Sequence, residues 1–273
     1  MRAATVIALF LIACLLLSAC GGGTGTQSTS SPSPSPPPPI PPSEPPSSSW
    51  NYTALGDSLA FGILAASGYV PRYQTYIQTD TGVNVVLKNL GENGWKSGDL
   101  LNALQSDITF RASLQNSQVI TWDIGGNDLL HAHNRFKEGT CGGTDNQDCF
   151  RTAVISFESN WDSVVAQILS LRSRDTTIIR TMNVYNPFVA EDQASGNFAK
   201  LNPYLDEINQ YISNSATRNS IFFADIHKVF NGSEGNEDPA PKGLIAIDRI
   251  HPNDKGHKAI ADSLRALQYT PLK

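Results

Sequence analysis

The amino-acid sequence predicts an α/β fold, doubly wound around a mostly parallel sheet of about five strands. From residue 50 onwards, short segments rich in β-branched and apolar residues alternate with longer segments of helical periodicity. No internal repeat interrupts this alternation. Such a pattern favours parallel strands whose two faces are both covered by helices.

The elements can be assigned in chain order. The first strand (51–55) is short, the second (83–90) is rich in β-formers, and the third (118–124) has the apolar run typical of a buried strand. The fourth and fifth predicted strands are residues 176–184 and 220–225. The predicted helices are residues 71–79, 98–106, 152–171, 201–215 and 255–267.

Composition limits both the architecture and the partners. The chain has 273 residues, of which 40% are hydrophobic and 16% are charged, which suits one globular domain with additional segments. The formal net charge of -5 provides no basic surface for a phosphate backbone. We therefore expect no nucleic-acid partner.

The N-terminus has the features of an export signal. Arg2 gives a short positive region, and residues 6–17 form an apolar run that is too short for a permanent membrane span. Residues 17–20, Leu-Ser-Ala-Cys, resemble the end of a bacterial lipoprotein signal sequence. The resemblance implies cleavage before Cys20, lipidation of its thiol, and an exported protein anchored at the periplasmic face or the cell surface. An ordinary secretory signal with a chance cysteine is the alternative.

Residues 20–49 have the composition of a linker. Glycine and serine give way to a dense proline stretch at 31–46, with almost no large apolar side chain to bury. Proline-rich chain is semi-rigid, so this segment suits a spacer between an anchor and a folded domain. The sequence thus divides into a signal peptide (1–19), a lipid-anchored Gly/Ser/Pro-rich linker (20–49) and a folded domain (50–273).

Four polar or glycine-bearing segments follow predicted strands. They are residues 56–59 (Gly-Asp-Ser-Leu), 91–94 (Gly-Glu-Asn-Gly), 125–128 (Gly-Gly-Asn-Asp) and 248–251 (Asp-Arg-Ile-His). In an open parallel sheet, the segments that leave the carboxyl ends of the strands meet at one edge, where ligands bind. We therefore expect these four segments to converge on one cleft.

The residue types in these segments suit a serine hydrolase. A serine hydroxyl becomes nucleophilic when an imidazole accepts its proton and a carboxylate orients that imidazole. Ser58, His251 and Asp248 are the candidates, and their spacing lets one loop present both Asp248 and His251. The backbone N–H groups of Ser58 and Gly94 and the side-chain amide of Asn127 are candidate donors to the oxyanion of a tetrahedral intermediate. We expect no cofactor.

These four motifs, taken in order, resemble the SGNH (GDSL-type) hydrolase family. The second block is carried by residues 89–94, Asn-Leu-Gly-Glu-Asn-Gly, and the resemblance covers residues 52–266. It implies a three-layer α/β/α, flavodoxin-like fold. It also implies a Ser58–His251–Asp248 triad and an oxyanion hole of Ser58, Gly94 and Asn127. The Gly-x-Ser-x-Gly elbow of larger hydrolases is absent, and this serine lies near the start of the domain instead.

Several of the reactive residue types also have structural interpretations. Ser58 could simply cap a helix after a tight turn, and Asp57 could shape that turn. Asp123 suits a satisfied buried carboxylate, Asp128 suits the start of a helix, and His257 suits the surface of the last helix.

The remaining histidines give a weak case for further chemistry. His131 and His133 lack a clear third ligand, so we expect no metal site. His227 follows the fifth strand and could line the cleft without reacting.

Cys141 and Cys149 are expected to form a disulfide, since an isolated pair in an exported protein is usually bridged. The bridge would tighten an insertion at 131–150. That insertion could act as a flap over the acyl pocket, or the bridge could simply staple a long loop, which is the simpler interpretation.

The sequence leaves the substrate open. Pocket walls are expected from residues 185–188, the 131–150 insertion and the segment before Asp248, and Tyr185, Phe188 and Ile245 favour short- or medium-chain acyl esters. The family resemblance also accommodates a deacetylase or O-acyltransferase that acts on cell-envelope carbohydrate. A non-catalytic envelope-binding protein is a third hypothesis, which the presence of every triad and oxyanion residue disfavours.

Overall fold

The computed structural model describes residues 49–273. The expected signal peptide, the lipidation site Cys20 and nearly all of the expected linker lie outside the described residues. The strands are β1 (Ser49–Gly56), β2 (Asn84–Gly91), β3 (Val119–Trp122), β4 (Ile178–Met182) and β5 (Phe222–Ala224). They form one parallel sheet in the order β2-β1-β3-β4-β5.

Helices connect the strands, and two more follow the last strand. The first five are α1 (Ser58–Phe61), α2 (Tyr69–Thr81), α3 (Ser97–Ser106), α4 (Ile108–Gln115) and α5 (Gly126–Lys137). The others are α6 (Asp148–Leu171), α7 (Val189–Ala194), α8 (Phe198–Arg218), α9 (Ile226–Asn231) and α10 (Asp254–Ala266). No helix between residues 49 and 273 combines the length and the apolar character that a membrane crossing requires.

Hydrophobic layers on both faces of the sheet confirm the predicted α/β class. One layer packs α2, α9 and α10 against residues such as Tyr52 and Ala54 of β1. The other packs α3, α4, α6 and α8 against Leu55 of β1 and Trp122 of β3. Every residue of β3 and β4 is buried, as expected for central strands covered on both faces, whereas the edge strand β2 is half exposed.

The strand order places a crevice beside β1. The chain leaves β1 for the outer strand β2 and then returns to the other side of β1 as β3. In a doubly wound sheet of this order, the crevice at such a reversal, outside the carboxyl ends of the strands, is where ligands bind. Ser58 follows β1 directly, and Asn127 follows β3 in the first turn of α5. The sheet therefore brings these two residues to one edge, as the sequence predicted.

Several elements differ from the sequence prediction. Residues 131–150 were expected to be an insertion, but α5 runs through residue 137 and α6 begins at Asp148, which leaves only a short connection. Helices α4, α7 and α9 were also not predicted. In α5, Gly, Asn, Asp and His have low helix propensity, and packing against α6 overrides it.

Candidate active site

Ser58 is positioned by the turn that ends β1. The side chain of Asp57 caps α1 by accepting the backbone N–H of Leu59 at 2.9 Å, so Ser58 is the first helical residue. Gly56, just before, has φ +142°, and a Cβ there would lie 2.5 Å from the carbonyl oxygen of Asp123. Only glycine fits this close approach without displacing Asp123.

A hydrogen-bonded line joins Ser58, His251 and Asp248. Nε2 of His251 lies 2.9 Å from Oγ of Ser58, and Nδ1 lies 2.5 Å from Oδ2 of Asp248. A carboxylate on Nδ1 keeps the proton of a neutral imidazole on that nitrogen, so Nε2 faces the serine hydroxyl as a hydrogen-bond acceptor. The structure thus brings together the three residues that the sequence proposed.

Asp248 is held as a carboxylate. Partial burial would raise its pKa, but hydrogen bonds from the His251 ring and from the backbone N–H groups of Ile250 and His251 outweigh burial and lower the pKa below its usual value. The Oδ1 atom accepts both backbone bonds, at 3.1 and 3.0 Å, which leaves Oδ2 for the imidazole. One carboxylate therefore fixes both the loop backbone and the ring.

The loop that carries Asp248 and His251 is itself braced. Ile245 and Pro252 form an isolated antiparallel bridge across its base, and the backbone N–H of Ala246 donates to the carbonyl of His251 at 2.8 Å. Tyr185, from the loop after β4, donates its hydroxyl to the carbonyl of Ile250 at 2.6 Å. Ile245 was expected in the acyl pocket, but it packs against the core instead, and Ile250 lines the cavity.

The candidate oxyanion donors differ in their contacts and in their position relative to the cavity. Nδ2 of Asn127 donates to the carbonyl of Trp95 at 2.9 Å and, over 3.3 Å, to Oδ2 of Asp57. Gly94 lies in the exposed turn after β2 with φ +81°, a conformation that suits glycine. Among the described residues, Gly94 is not one of those that line the cavity around Ser58. Its neighbour Trp95 connects the turn to Asn127, because the carbonyl of Trp95 accepts the Asn127 amide.

Two buried carboxyl groups lie behind Ser58. Asp123 accepts the hydroxyl of Tyr69, and it accepts the backbone N–H of Asp57 at 3.3 Å. Burial raises the pKa of both carboxyl groups, and the charge of Asp123 raises the pKa of Asp57 further. The prediction that Asp123 is a satisfied buried carboxylate is therefore confirmed, whereas the sequence did not indicate its pairing with Asp57.

Asp128 lies at the start of a helix, as the sequence predicted, and has a structural role there. It lies in the first turn of α5 and accepts both the backbone N–H and the hydroxyl of Ser97, at 2.9 and 2.6 Å. Ser97 is the first residue of α3, so this contact fastens the start of α3 to α5.

A cavity of about 100 Å³ runs from Ser58 between α5 and the loop that follows β4. Buried asparagines fix this loop: Asn209 of α8 bonds both the N–H and the carbonyl of Val184, and Asn231 of α9 does the same for Asn186. Each of these four bonds is 2.7–2.8 Å long. The apolar walls include Leu129, Leu130, Phe150, Val184, Phe188, Leu201 and Leu205.

The remaining histidines are not placed as one group. His131 is exposed, whereas His133, two residues further along α5, is buried and bonds Asp192. Within residues 49–273, no group of three or more His, Cys, Asp or Glu side chains is arranged to hold a metal ion. His227 lies against Gly235 rather than in the cavity wall. The prediction that His257 is a surface residue is wrong: it is fully buried and accepts the backbone N–H of Tyr69.

Cys141, in the connection after α5, forms a disulfide with Cys149 in the first turn of α6. Both cysteines are buried in a small cluster with Ala132, Phe150 and Leu201. Phe150 and Leu201 also line the cavity next to Ser58. The bridge therefore fastens the α5–α6 connection to the wall of the pocket, which fits a staple better than a free flap.

Comparison with known proteins shows a hydrolase that acts on ester bonds. A model of the GDSL-like Lipase/Acylhydrolase family matches residues 54–259, so the chain belongs to that family. The match includes all four motifs that the sequence analysis identified, from Gly56 to His251.

Individual relatives agree with this assignment. The spore germination lipase LipC of Bacillus licheniformis is 26% identical over 227 residues, which cover 81% of this chain and 98% of that protein. The crystal structure of the lipase Lip_vut3 from a goat rumen metagenome is 26% identical, with 82% of this chain and 100% of that chain covered and a TM-score of 0.65. The acetylxylan esterase Axe2 of Geobacillus stearothermophilus, at 21% identity, shares the fold, with coverage of 81% and 95% and a TM-score of 0.57.

Proposed function

We propose that Ser58, His251 and Asp248 are the catalytic triad with which this chain hydrolyses carboxylic esters. The observation that carries the proposal is the unbroken line of hydrogen bonds from Oγ of Ser58 through both ring nitrogens of His251 to Asp248. This line lies at the edge of a cavity with apolar walls, where an acyl group would be shielded from water.

The reaction would proceed in two halves. His251 accepts the proton of Ser58 as Oγ attacks the ester carbonyl, and it then returns that proton to the departing alcohol, which leaves the acyl group on Ser58. In the second half, His251 takes a proton from water, the resulting nucleophile attacks the acyl carbon, and the carboxylic acid is released as Ser58 regains its proton. Asp248 stabilises the imidazolium that forms in each half.

The oxyanion would be stabilised by the backbone N–H groups of Ser58 and Gly94 and by Nδ2 of Asn127. The shorter bond of Asn127, to the carbonyl of Trp95, would hold the amide in orientation. The longer bond to Asp57 at 3.3 Å is the one that an oxyanion would replace. The exchange would give up only the longer of the two hydrogen bonds of this amide.

Short- or medium-chain acyl esters are the proposed substrates. The cavity is small, and its apolar walls include leucine, valine and phenylalanine side chains. Two relatives are named lipases, and an acetylxylan esterase shares the fold. Both names are compatible with acyl groups of this length. A panel of p-nitrophenyl esters from acetate to octanoate, run beside acetylated glycans, would test the proposal: turnover of the glycans alone would favour a deacetylase.

We also propose that the folded domain (50–273) is exported and tethered by lipid on Cys20 through the linker at 20–49. The support comes from the sequence: an apolar run after Arg2, small residues before the cysteine, and a proline-rich spacer. Such a tether would present the hydrolase to esters of the cell envelope or its surroundings.

We expect Ser58→Ala to remove measurable ester turnover while the protein stays folded. Loss of the nucleophile closes the acyl-enzyme route, which lowers kcat by several powers of ten in comparable triads. Initial rates with p-nitrophenyl butanoate and the urea unfolding midpoint should both be measured. Ser159→Ala, an exposed change on α6, is the matched control and should keep wild-type rates. Near-wild-type turnover in folded Ser58→Ala protein would refute the triad.

Asn127→Ala should lower kcat by about 10²–10³ with little change in KM, as for removal of one oxyanion donor elsewhere. The loss is confined to kcat because the oxyanion is absent from the bound ester and forms only in the transition state and the tetrahedral intermediate. Asn134→Ala, an exposed change on the same helix, controls for effects on α5 and should behave as wild type. A change in KM alone would make Asn127 a residue that binds the ground state.

The kcat/KM for a neutral ester should fall along a single-proton limb as pH decreases, because a protonated His251 cannot accept the proton of Ser58. Asp248 stays ionised across that limb, since its lowered pKa places its own protonation at more acidic pH. The pKa of Asp123 is raised to about 6 and that of Asp57 is raised as well, so the profile should be repeated in Asp123→Asn and in Asp57→Asn. A limb that persists in both variants belongs to His251; its disappearance in either would assign the limb to the carboxyl pair.

Cys20→Ser should yield an unlipidated, poorly processed precursor, because serine has no thiol for the thioether-linked lipid. Metabolic labelling with a clickable fatty-acid analogue, followed by membrane fractionation, measures the effect. Cys14→Ser, inside the apolar run, is the matched control and should leave labelling intact. Labelling that survives Cys20→Ser would contradict the anchor.

A further inference from the structure

Helix α5 gives the cavity around Ser58 its length. The residues of α5 that line the cavity are Gly126, Asn127, Leu129, Leu130 and His133. Asn127 marks the end at Ser58, because it follows β3 at the edge of the sheet and contacts Asp57. In the described chain, no residue of α5 beyond His133 lines the cavity. The rise of an α-helix from Asn127 to His133 is about 9 Å, which gives the depth of the cavity along α5.

Helix α8 runs along the same cavity. Asn209 of α8 bonds both the N–H and the carbonyl of Val184, which follows β4 at the edge of the sheet. Leu205 and Leu201 line the cavity and lie about one and about two turns before Asn209. Leu201 is therefore farther from the sheet, and from Ser58, than Leu205 is.

Phe150, in the first turn of α6, lies at this far end. Phe150 and Leu201 both line the cavity, and both are buried in one cluster with Ala132, the residue before His133. Sγ of Cys149 lies 3.2 Å from the carbonyl oxygen of Ala132, which places the start of α6 beside this turn of α5. The cavity thus ends where it meets Phe150 and its cluster.

The side chain of Phe150 has little freedom to move aside. Its ring stacks on Tyr204 of α8, with the centroids 5.0 Å apart and the planes 14° from parallel. Phe136 of α5 meets the same ring edge-on, with the centroids 6.2 Å apart. The Cys141–Cys149 disulfide fixes the backbone directly before Phe150. In a close-packed interior, a change of even one methylene group is felt.

We propose that Phe150 is a specificity-determining residue that sets the maximum length of the acyl chain, and that the Cys141–Cys149 disulfide is the positioning element behind it. The proposal rests on the proposed acyl-enzyme at Ser58. The acyl chain lies along α5, with its carbonyl group near Asn127 and its terminal methyl group against Phe150. A depth of about 9 Å accommodates an extended hexanoyl group and excludes a decanoyl group.

A purely structural role for Phe150 predicts a different result. Loss of a buried aromatic side chain lowers stability whether or not that side chain borders the cavity. Phe136 packs against the same cluster and contacts Phe150, but among the described residues it is not one of those that line the cavity. A change in chain-length preference that follows Phe150 and not Phe136 therefore reports on the end of the cavity.

The test measures kcat/KM for p-nitrophenyl butanoate, hexanoate, octanoate and decanoate below their critical micelle concentrations. The variants are Phe150→Leu, Phe150→Ala and the pair Cys141→Ala with Cys149→Ala. Phe136→Leu is the matched control. Butyl, hexyl and octyl acetate place the variable chain on the alcohol instead. The urea unfolding midpoint establishes that each variant is folded.

Wild type and Phe136→Leu should hydrolyse the hexanoate at least about tenfold better than the decanoate, because a methylene group that does not fit costs about that factor. Both Phe150 variants should raise the decanoate-to-hexanoate ratio by about tenfold, with the larger rise in Phe150→Ala, which removes more volume. The disulfide-free variant should raise the ratio in the same direction, since its wall can yield to a longer chain.

An unchanged ratio in the folded Phe150 variants, an equal rise in Phe136→Leu, or a change confined to the alkyl acetates would each overturn the inference. An unchanged ratio in the folded disulfide-free variant would overturn the positioning role of the bridge. Failure of the proposed function is distinct, because then not even p-nitrophenyl butanoate would be turned over in a Ser58-dependent way.

Discussion

The close approach of Gly56 to Asp123 is the constraint on which the site depends. Gly56 ends β1, and Asp123 directly follows the adjacent strand β3. A Cβ on Gly56 would lie within 3 Å of both the carbonyl and the carboxyl group of Asp123. From this contact the chain turns so that Asp57 reaches Asp123 through its backbone N–H. Asp57 then caps α1 and touches Asn127. Ser58 and the candidate oxyanion amide of Asn127 are thus positioned from one point of the sheet.

In this arrangement polar and ionisable groups are buried, and their burial costs free energy unless they are hydrogen-bonded or paired. Burial raises the pKa of both Asp57 and Asp123, which favours the neutral form of each carboxyl group. Tyr69 supplies a hydroxyl to Asp123 and extends the paired network towards α10, through the contact of its backbone N–H with His257. The polar network behind Ser58 therefore reaches from the sheet to the last helix.

Much of the fold and the placement of the motifs could be predicted from the sequence. Alternation of strand and helix gave the class, and parallel topology then required residues 56–59 and 125–128 to meet at one edge. Asp248 and His251 could be paired from spacing alone, because their contact is local in sequence. These features depend on periodicity and on short-range geometry, which a single sequence carries.

The features that sequence reasoning missed depend on contacts between distant segments. His257 has the spacing of a surface residue on α10, yet it is buried against Tyr69, 188 residues earlier in the chain. Ile245 was expected in the pocket because it is apolar and close to Asp248, but its bridge to Pro252 turns it towards the core. For α5 only the start at Asp128 was predicted, because the helix continues to residue 137 through packing against α6 that a single sequence does not show.

The two histidine–aspartate pairs of the cavity show why residue type alone does not assign a role. In the first, Asp248 is partly exposed and also accepts two backbone N–H groups, and Nε2 of His251 faces the hydroxyl of Ser58. In the second, Asp192 and His133 are buried, and the free ring nitrogen meets no group of the described chain. The first pair places a proton acceptor next to a serine hydroxyl, which is the arrangement that acyl transfer needs. The second pair bonds no such hydroxyl in the described residues, so the shared residue types do not give it the same role.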